Sequence, residues 1–141
     1  MGVPSSSVIP FLSVTGYQPG HQIGGAQLAA YVNDASRDNP TYEFYPSRGD
    51  PIILPILQNT LPVNLYPLTW LLPSGKLFIQ SGWKTILLDY NQNLETPLDD
   101  MPDAMRVYPA SGGTTMLPLT LANNYTATIM FCGGSSIQSD Q

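Results

Sequence analysis

Few side chains in this sequence have the means to do chemistry, and their spacing narrows what that chemistry could be. The one cysteine, Cys132, stands in "IMFCGGSS", between an apolar run and two glycines. A reactive thiol needs a cation or a helix N-terminus beside it. This one follows "TIMF" on a predicted inner strand and reads as a packed structural thiol. The one histidine, His21, falls in the turn-rich "GYQPGHQ". A hydrolytic triad requires a placed acid and an oxyanion hole around the imidazole, so His21 reads as a loop residue. Asp99, Asp100 and Asp103 in "LDDMPDAM" could offer oxygens to a hard cation. Their spacing is not that of a calcium loop, and Pro102 marks a turn. Gly133 and Gly134 are not followed by the Lys-Ser/Thr of a phosphate cradle. They read as places where chains crowd or turn at positive φ. Asn124-Tyr125-Thr126 is a glycosylation sequon at a predicted hairpin tip. Trp70, Trp83, Tyr42 and Tyr66 could stack on a sugar, but they sit on or beside apolar strands and read as core. These readings assign no catalytic, cofactor-binding or metal-binding residue.

Stepping outward from these residues, 141 residues fit one domain or a piece of a larger one. Apolar residues make up 43% and charged residues only 11%, a balance that excludes general disorder. The 14 prolines and 12 glycines punctuate the chain too often for long helices and favour many short strands. A net charge of −5 with scattered cations leaves no basic stripe for nucleic acid. No apolar run reaches the roughly 20 residues of a membrane span, so no membrane is expected as a partner. "MGVPSSSVIPFLSVTG" lacks a positive n-region and does not read as a signal peptide. Localisation is left open by the residues themselves.

Residues 1–22 are small, polar and turn-rich, and are expected to be poorly ordered. From residue 23 to 141 a plan recurs. "TYEFYP" (41–46) reads as an aromatic strand stopped by Pro46. "RGDPIILPILQNTLP" (48–62) reads as a connection with a short edge strand. "YPLTWLLPSGKLFIQSGW" (66–83) reads as a hairpin: Pro73 presets the turn and Gly75 supplies its left-handed residue. "TILLDYN" (85–91) is a third strand, and "ETPLDDMPDAM" (95–105) is mostly loop. "NLYP" is then echoed by "RVYP", "TWLL" by "TTMLPL", and "KLFIQSG" by "TATIMFCGG". "IGG", with Gly24 and Gly25, matches the Gly82 and Gly133–Gly134 strand ends one unit earlier. The period, about 45–50 residues, is that of propeller blades. The runs "TWLL", "LFI", "ILL" and "TIMF" are continuous rather than alternating, which predicts strands covered on both faces. The expected fold is all-β: two to three consecutive kelch-like blades of an incomplete β-propeller. Its open blade faces are expected to favour self-association or to take the missing blades of a parent protein.

"NPTYEFYPSRGD", "LPVNLYPLTWLLPSGKLFIQSGW", "LLDY", "MPDAMRVYPASGGTTMLPLT" and "NNYTATIMFCGGS" together resemble the kelch-type propeller of fungal glyoxal oxidases, copper radical oxidases related to galactose oxidase. The resemblance runs from about Ile23 onward. It implies a parent reaction in which an aldehyde, O₂ and water give a carboxylic acid and hydrogen peroxide. It implies copper and a tyrosine cross-linked to a cysteine in full-length relatives, with a second tyrosine and two histidines completing the site; imidazoles suit copper. It also implies a secreted or extracellular setting for those relatives. In the family the cross-linked pair lies N-terminal to this segment, and the second tyrosine and the histidines lie C-terminal to it. Tyr17, in "GYQPGH", has the wrong neighbours to take the radical role. The expectation is therefore a fragment, inactive alone and holding no cofactor itself. The alternative is a non-catalytic β-rich interaction or scaffold module.

Overall fold

In the computed structural model of the chain the described residues are 20–25, 34–107 and 111–135. Their regular secondary structure is almost wholly β, in three antiparallel sheets, and the chain divides into two compact units, Met1–Tyr66 and Pro67–Gln141.

The Met1–Tyr66 unit holds β1 (Gly20–Ile23), β2 (Thr41–Tyr45) and β3 (Ile52–Ile53) as a meander with β2 in the centre. β2 is the aromatic strand expected from "TYEFYP". It ends at Pro46, which has no N–H to continue a ladder. Tyr42 is fully buried, among a core that includes Ile23, Leu54, Ile56, Leu57 and Leu65. Of the 1–22 segment expected to be poorly ordered, residues 1–19 lie outside the described residues. Gly20, His21 and Gln22 belong to β1, paired with Tyr45, Phe44 and Glu43. The strand exists because β2 supplies the partner; the local sequence has no strand signal.

The proline-broken connection contains the expected edge strand, β3, and also a helix, α1 (Pro55–Asn59), that the sequence did not announce. Pro55 stands in the first turn, where a missing N–H is harmless. Leu54 gives no side-chain cap, and Thr60 closes the other end by donating its hydroxyl to the Ile56 carbonyl at 2.8 Å. One turn is too short to show helical periodicity. Burial of Ile56 and Leu57, worth about 1.5–3 kcal/mol each, exceeds the roughly 1 kcal/mol that a missing cap costs.

The Pro67–Gln141 unit begins with a complete four-stranded meander: β4 (Leu68–Leu71), β5 (Leu77–Ser81), β6 (Lys84–Asp89) and β7 (Leu94–Pro97). This is the strand order of a propeller blade. The β4–β5 hairpin forms as expected. The Leu72 N–H donates to the Lys76 carbonyl and the Gly75 N–H to the Leu72 carbonyl, both at 2.9 Å, with Gly75 at φ +81°. β7 lies where a loop was expected. It is an edge strand with mostly exposed side chains, ending in a proline, and edge strands need no apolar alternation. Leu77 faces Leu88, and Ile79 faces Ile86, on one buried face. Trp70, Phe78 and Leu87 share the other face by register.

That second face is covered by the hairpin β8 (Gly112–Met116) and β9 (Ile129–Gly133). Phe131 meets Phe78 with ring centroids 6.0 Å apart, and Trp70 Nε1 donates to Thr114 Oγ1 at 3.1 Å. Phe131 and Thr114 are cross-strand partners, so one face of this hairpin makes both contacts. β5 and β6 thus have cover on both faces, as their continuous apolar runs require. β9 does not: it alternates, with Met130 and Cys132 exposed. A one-turn 3-10 helix, Leu121–Asn123, interrupts the β8–β9 connection.

The blade repeat is visible in backbone geometry. β1, β5 and β9 each end at a glycine of positive φ: Gly24, Gly82 and Gly133 stand at φ +68°, +57° and +77°. β2 and β6, the "YEFYP" and "LLDYN" echoes, each follow as the next strand. Among the described residues no helix is long and apolar enough to cross a membrane.

Candidate functional site

The densest arrangement of specific contacts is a crossing of backbones at the strand ends of the Pro67–Gln141 unit. After β5 the chain turns at Gly82, which bridges to Arg106. Gln80, buried to 1% exposure, donates through Nε2 to the Gly82 carbonyl and, at 3.0 Å, to the Arg106 carbonyl. Arg106 Nη1 donates to the carbonyls of Pro102 and Ala104 at 3.1 and 2.9 Å. The chain leaving β9 then pairs beside this segment: Met105 and Ser135 exchange both backbone hydrogen bonds, at 3.2 and 2.9 Å.

Glycine is required here by space as well as by dihedral. A Cβ on Gly133 would lie 2.6 Å from the Ser111 carbonyl oxygen, and one on Gly134 2.7 Å from Ala104 Cβ. One on Gly112 would lie 2.8 Å from Arg106 Cβ. Gly134 also stands at φ +135°, a region open essentially to glycine alone. In the Met1–Tyr66 unit a positive-φ glycine likewise meets a later backbone segment: the N–H of Gly25, at φ +110°, donates to the Leu65 carbonyl at 3.0 Å. "NLYP" and "RVYP" therefore echo each other because each supplies the backbone against which a glycine strand end docks. This crossing positions strands through backbone and amide contacts.

The other sequence candidates scatter. Cys132 is exposed, contrary to the packed thiol expected. Its cross-strand partner on β8 is Gly113, which has no side chain to cover it. Phe131, not Cys132, takes the inward face. His21 is on strand β1 rather than in a loop. Its ring lies 4.9 Å from that of Phe44, over which Arg48 sits at 4.7 Å. Burial first, and the Arg48 charge second, push the imidazole below its ordinary pKa, so it is neutral at pH 7. The aspartates do not form a cation site: Asp100 pairs with Lys84 at 2.7 Å, and Asp99 serves through its carbonyl, which accepts from Thr85 Oγ1 at 2.6 Å. Tyr42 is core, Trp70 is a packing contact, and Trp83 and Tyr66 are half-buried. Asn124 is exposed at the end of the 3-10 turn, at φ +53°. Tyr17 lies outside the described residues. Among the described residues, no three His, Cys, Asp or Glu side chains converge as metal ligands.

Asp38 is the residue that sequence reasoning passed over. It is 7% exposed, and among the described residues neither carboxylate oxygen has a hydrogen-bond partner. Burial, and then the charge of Asp34, push its carboxyl up to about 6. In "NDASRDNP" it looks like any loop aspartate; no local signal marks it as buried.

With the geometry in place, comparison with known proteins identifies the lineage. Residues 32–141 match the family model described as glyoxal oxidase N-terminus. The chain is 41% identical over 102 residues to the aldehyde oxidase GLOX of Vitis pseudoreticulata, covering 66% of this chain and 18% of that protein. It is 33% identical over 112 residues to a putative aldehyde oxidase, Art an 7, of Artemisia annua, covering 68% and 18%. It is 35% identical over 77 residues to the aldehyde oxidase GLOX1 of Arabidopsis thaliana, covering 51% and 12%. These relatives are plant proteins, so the resemblance is to the oxidase family and not to its fungal members in particular. The chain spans less than a fifth of the length of each. No solved structure matches it. The chain belongs to the glyoxal oxidase N-terminus family.

Proposed function

We propose that this member of the glyoxal oxidase N-terminus family is a portion of a glyoxal-oxidase-like copper radical oxidase and serves there as propeller scaffold. The parent reaction is the oxidation of an aldehyde with O₂ and water to a carboxylic acid and hydrogen peroxide. The observation that carries this reading is the match of residues 32–141 to the family coinciding with a complete four-stranded blade and its glycine-locked crossing.

The donor set of this chain does not fit a copper site of the family type. Two imidazoles are needed, and the sequence has one histidine, His21 on β1, whose ring packs against Phe44 of β2. The residues of this chain therefore hold no copper by themselves, and the chain alone is inactive. What its own residues supply is rigidity: Gln80 ties the turn after β5 to the segment leading into the next hairpin, and the strand-end glycines let those backbones meet.

The test gives the purified chain copper and methylglyoxal and follows hydrogen peroxide. The expected result is no copper-dependent peroxide above the metal blank; robust turnover sinks the scaffold reading. A second reading, a non-catalytic interaction module, is favoured by the exposed apolar residues Leu117, Leu119, Leu121, Tyr125 and Met130 on and around the β8–β9 hairpin. It predicts concentration-dependent self-association, and a monomer by size exclusion at all concentrations counts against it.

A further inference from the structure

We propose that Asn124 is an N-glycosylation acceptor, modified in the secretory pathway by transfer of an oligosaccharide from a lipid-diphosphate donor. Asn124-Tyr125-Thr126 is the one Asn-X-Ser/Thr triplet in the chain that a proline does not disqualify; Asn39-Pro40-Thr41 is the other.

The structure adds three observations. Asn124, Tyr125 and Thr126 are all exposed in the β8–β9 connection, and Leu121 beside them is 82% exposed, so a glycan meets no packed neighbour. The loop is fastened without the Asn124 side chain: Thr120 Oγ1 accepts from the Asn123 N–H at 3.3 Å, Asn123 Oδ1 accepts from the Thr120 N–H at 3.0 Å, and Asn124 contributes only its backbone N–H, to the Leu121 carbonyl at 3.1 Å. The Asn124 carboxamide makes no hydrogen bond among the described residues, unlike the occupied carboxamide of Asn123 one position earlier. Third, fold requirements account for one residue of the triplet but not the other. Asn124 is at φ +53° and ψ +39°, where asparagine is one of the few tolerant residues. Thr126 is exposed and its hydroxyl bonds to nothing described, so the fold does not demand threonine there; the acceptor triplet does.

In the transfer, Asn124 Nδ2 forms a bond to the anomeric carbon of the donor sugar and the carbon–oxygen bond to the diphosphate breaks. The lipid diphosphate leaves with that electron pair, and the amide proton passes to a base of the transferase. No oxidant or reductant is involved. The glycan would stand over Leu121 and Tyr125, the most exposed apolar side chains of this loop.

The experiment expresses the whole chain in eukaryotic cells behind a cleavable secretion signal, with a reporter sequon in a C-terminal tag. Peptide-N-glycosidase sensitivity is read in total lysate, so retention of misfolded chain does not obscure it. The wild type should carry two glycans and lose both. Asn124→Gln, Asn124→Asp and Thr126→Ala should each carry one, and Thr126→Ser should keep two. A wild type bearing the reporter glycan alone overturns the proposal, because the chain has then met the transferase and Asn124 was passed over. The outcome is independent of whether the chain has oxidase relatives.

Discussion

Replacing Gly133 by alanine should destabilise the Pro67–Gln141 unit by about 2–4 kcal/mol, and two companion substitutions divide that figure into its causes. Gly113 has no positive φ and nothing within 4 Å of where its Cβ would be. Gly113→Ala should therefore be neutral or stabilising by roughly 0.4–1 kcal/mol, through the entropy of the unfolded chain. Gly75 has equally open space but stands at φ +81°. Gly75→Ala meets the left-handed penalty of about 1–2 kcal/mol, partly offset by that same entropy gain. Gly133 has both problems: φ +77° and a Cβ 2.6 Å from the Ser111 carbonyl oxygen. The carbonyl belongs to backbone next to β8, so relief requires the β8–β9 hairpin to shift, an overpacking cost of about 1–3 kcal/mol more. Both tryptophans, Trp70 and Trp83, lie in this unit, so their fluorescence during urea unfolding reports on it selectively. The expected order of midpoints is Gly113→Ala highest, then Gly75→Ala, then Gly133→Ala. If Gly133→Ala unfolds no earlier than Gly75→Ala, the close crossing at the β9 end is not what holds glycine there.

Asp38→Asn should abolish a pH dependence. A carboxyl raised from 3.8 to about 6 in the fold binds its proton more tightly there than in the unfolded chain, so its contribution is intact below pH ~4 and is lost as pH rises through 6. After allowance for solvent screening this is about 1–2 kcal/mol; the variant should match wild type at pH 4 and exceed it at pH 8, and a pH-independent difference counts against the burial argument. Gln80→Leu leaves the Gly82 and Arg106 carbonyls without their donor, for a loss of about 1–3 kcal/mol in denaturation. Cys132 should react stoichiometrically with a thiol reagent in native buffer, at a rate that denaturant raises little; a thiol titrated only after unfolding contradicts its exposed position on β9.

Much of the architecture was readable without coordinates, because its signals are local. Pro73 and Gly75 dictate a turn between two apolar runs, and the hairpin between β4 and β5 follows. Pro46 ends β2 because it cannot donate to a ladder. Glycines recurring after "QI", "FIQS" and "MFC" announce strand ends that turn at positive φ, and each does so. The linked motifs likewise disclosed the oxidase family. The single histidine is the sequence feature on which the proposal of a scaffold segment without its own copper rests.

Tertiary structure decided whatever depends on a distant partner. β7 is a strand because β6 offers it an unpaired edge, not because "LETP" has a strand pattern. The helix α1 persists because Ile56 and Leu57 find a core. His21 is pushed below its ordinary pKa because its place on β1, beside Phe44 of β2, buries the ring and the Arg48 charge lies nearby. Asp38 is buried by neighbours its own segment does not specify. Cys132 shows the limit most plainly. Its apolar run and its glycines correctly marked the end of a blade strand. Which face of that strand is covered was set by Phe131 reaching Phe78 and by the bare Gly113 opposite Cys132, and both of those partners are distant in sequence from residue 132.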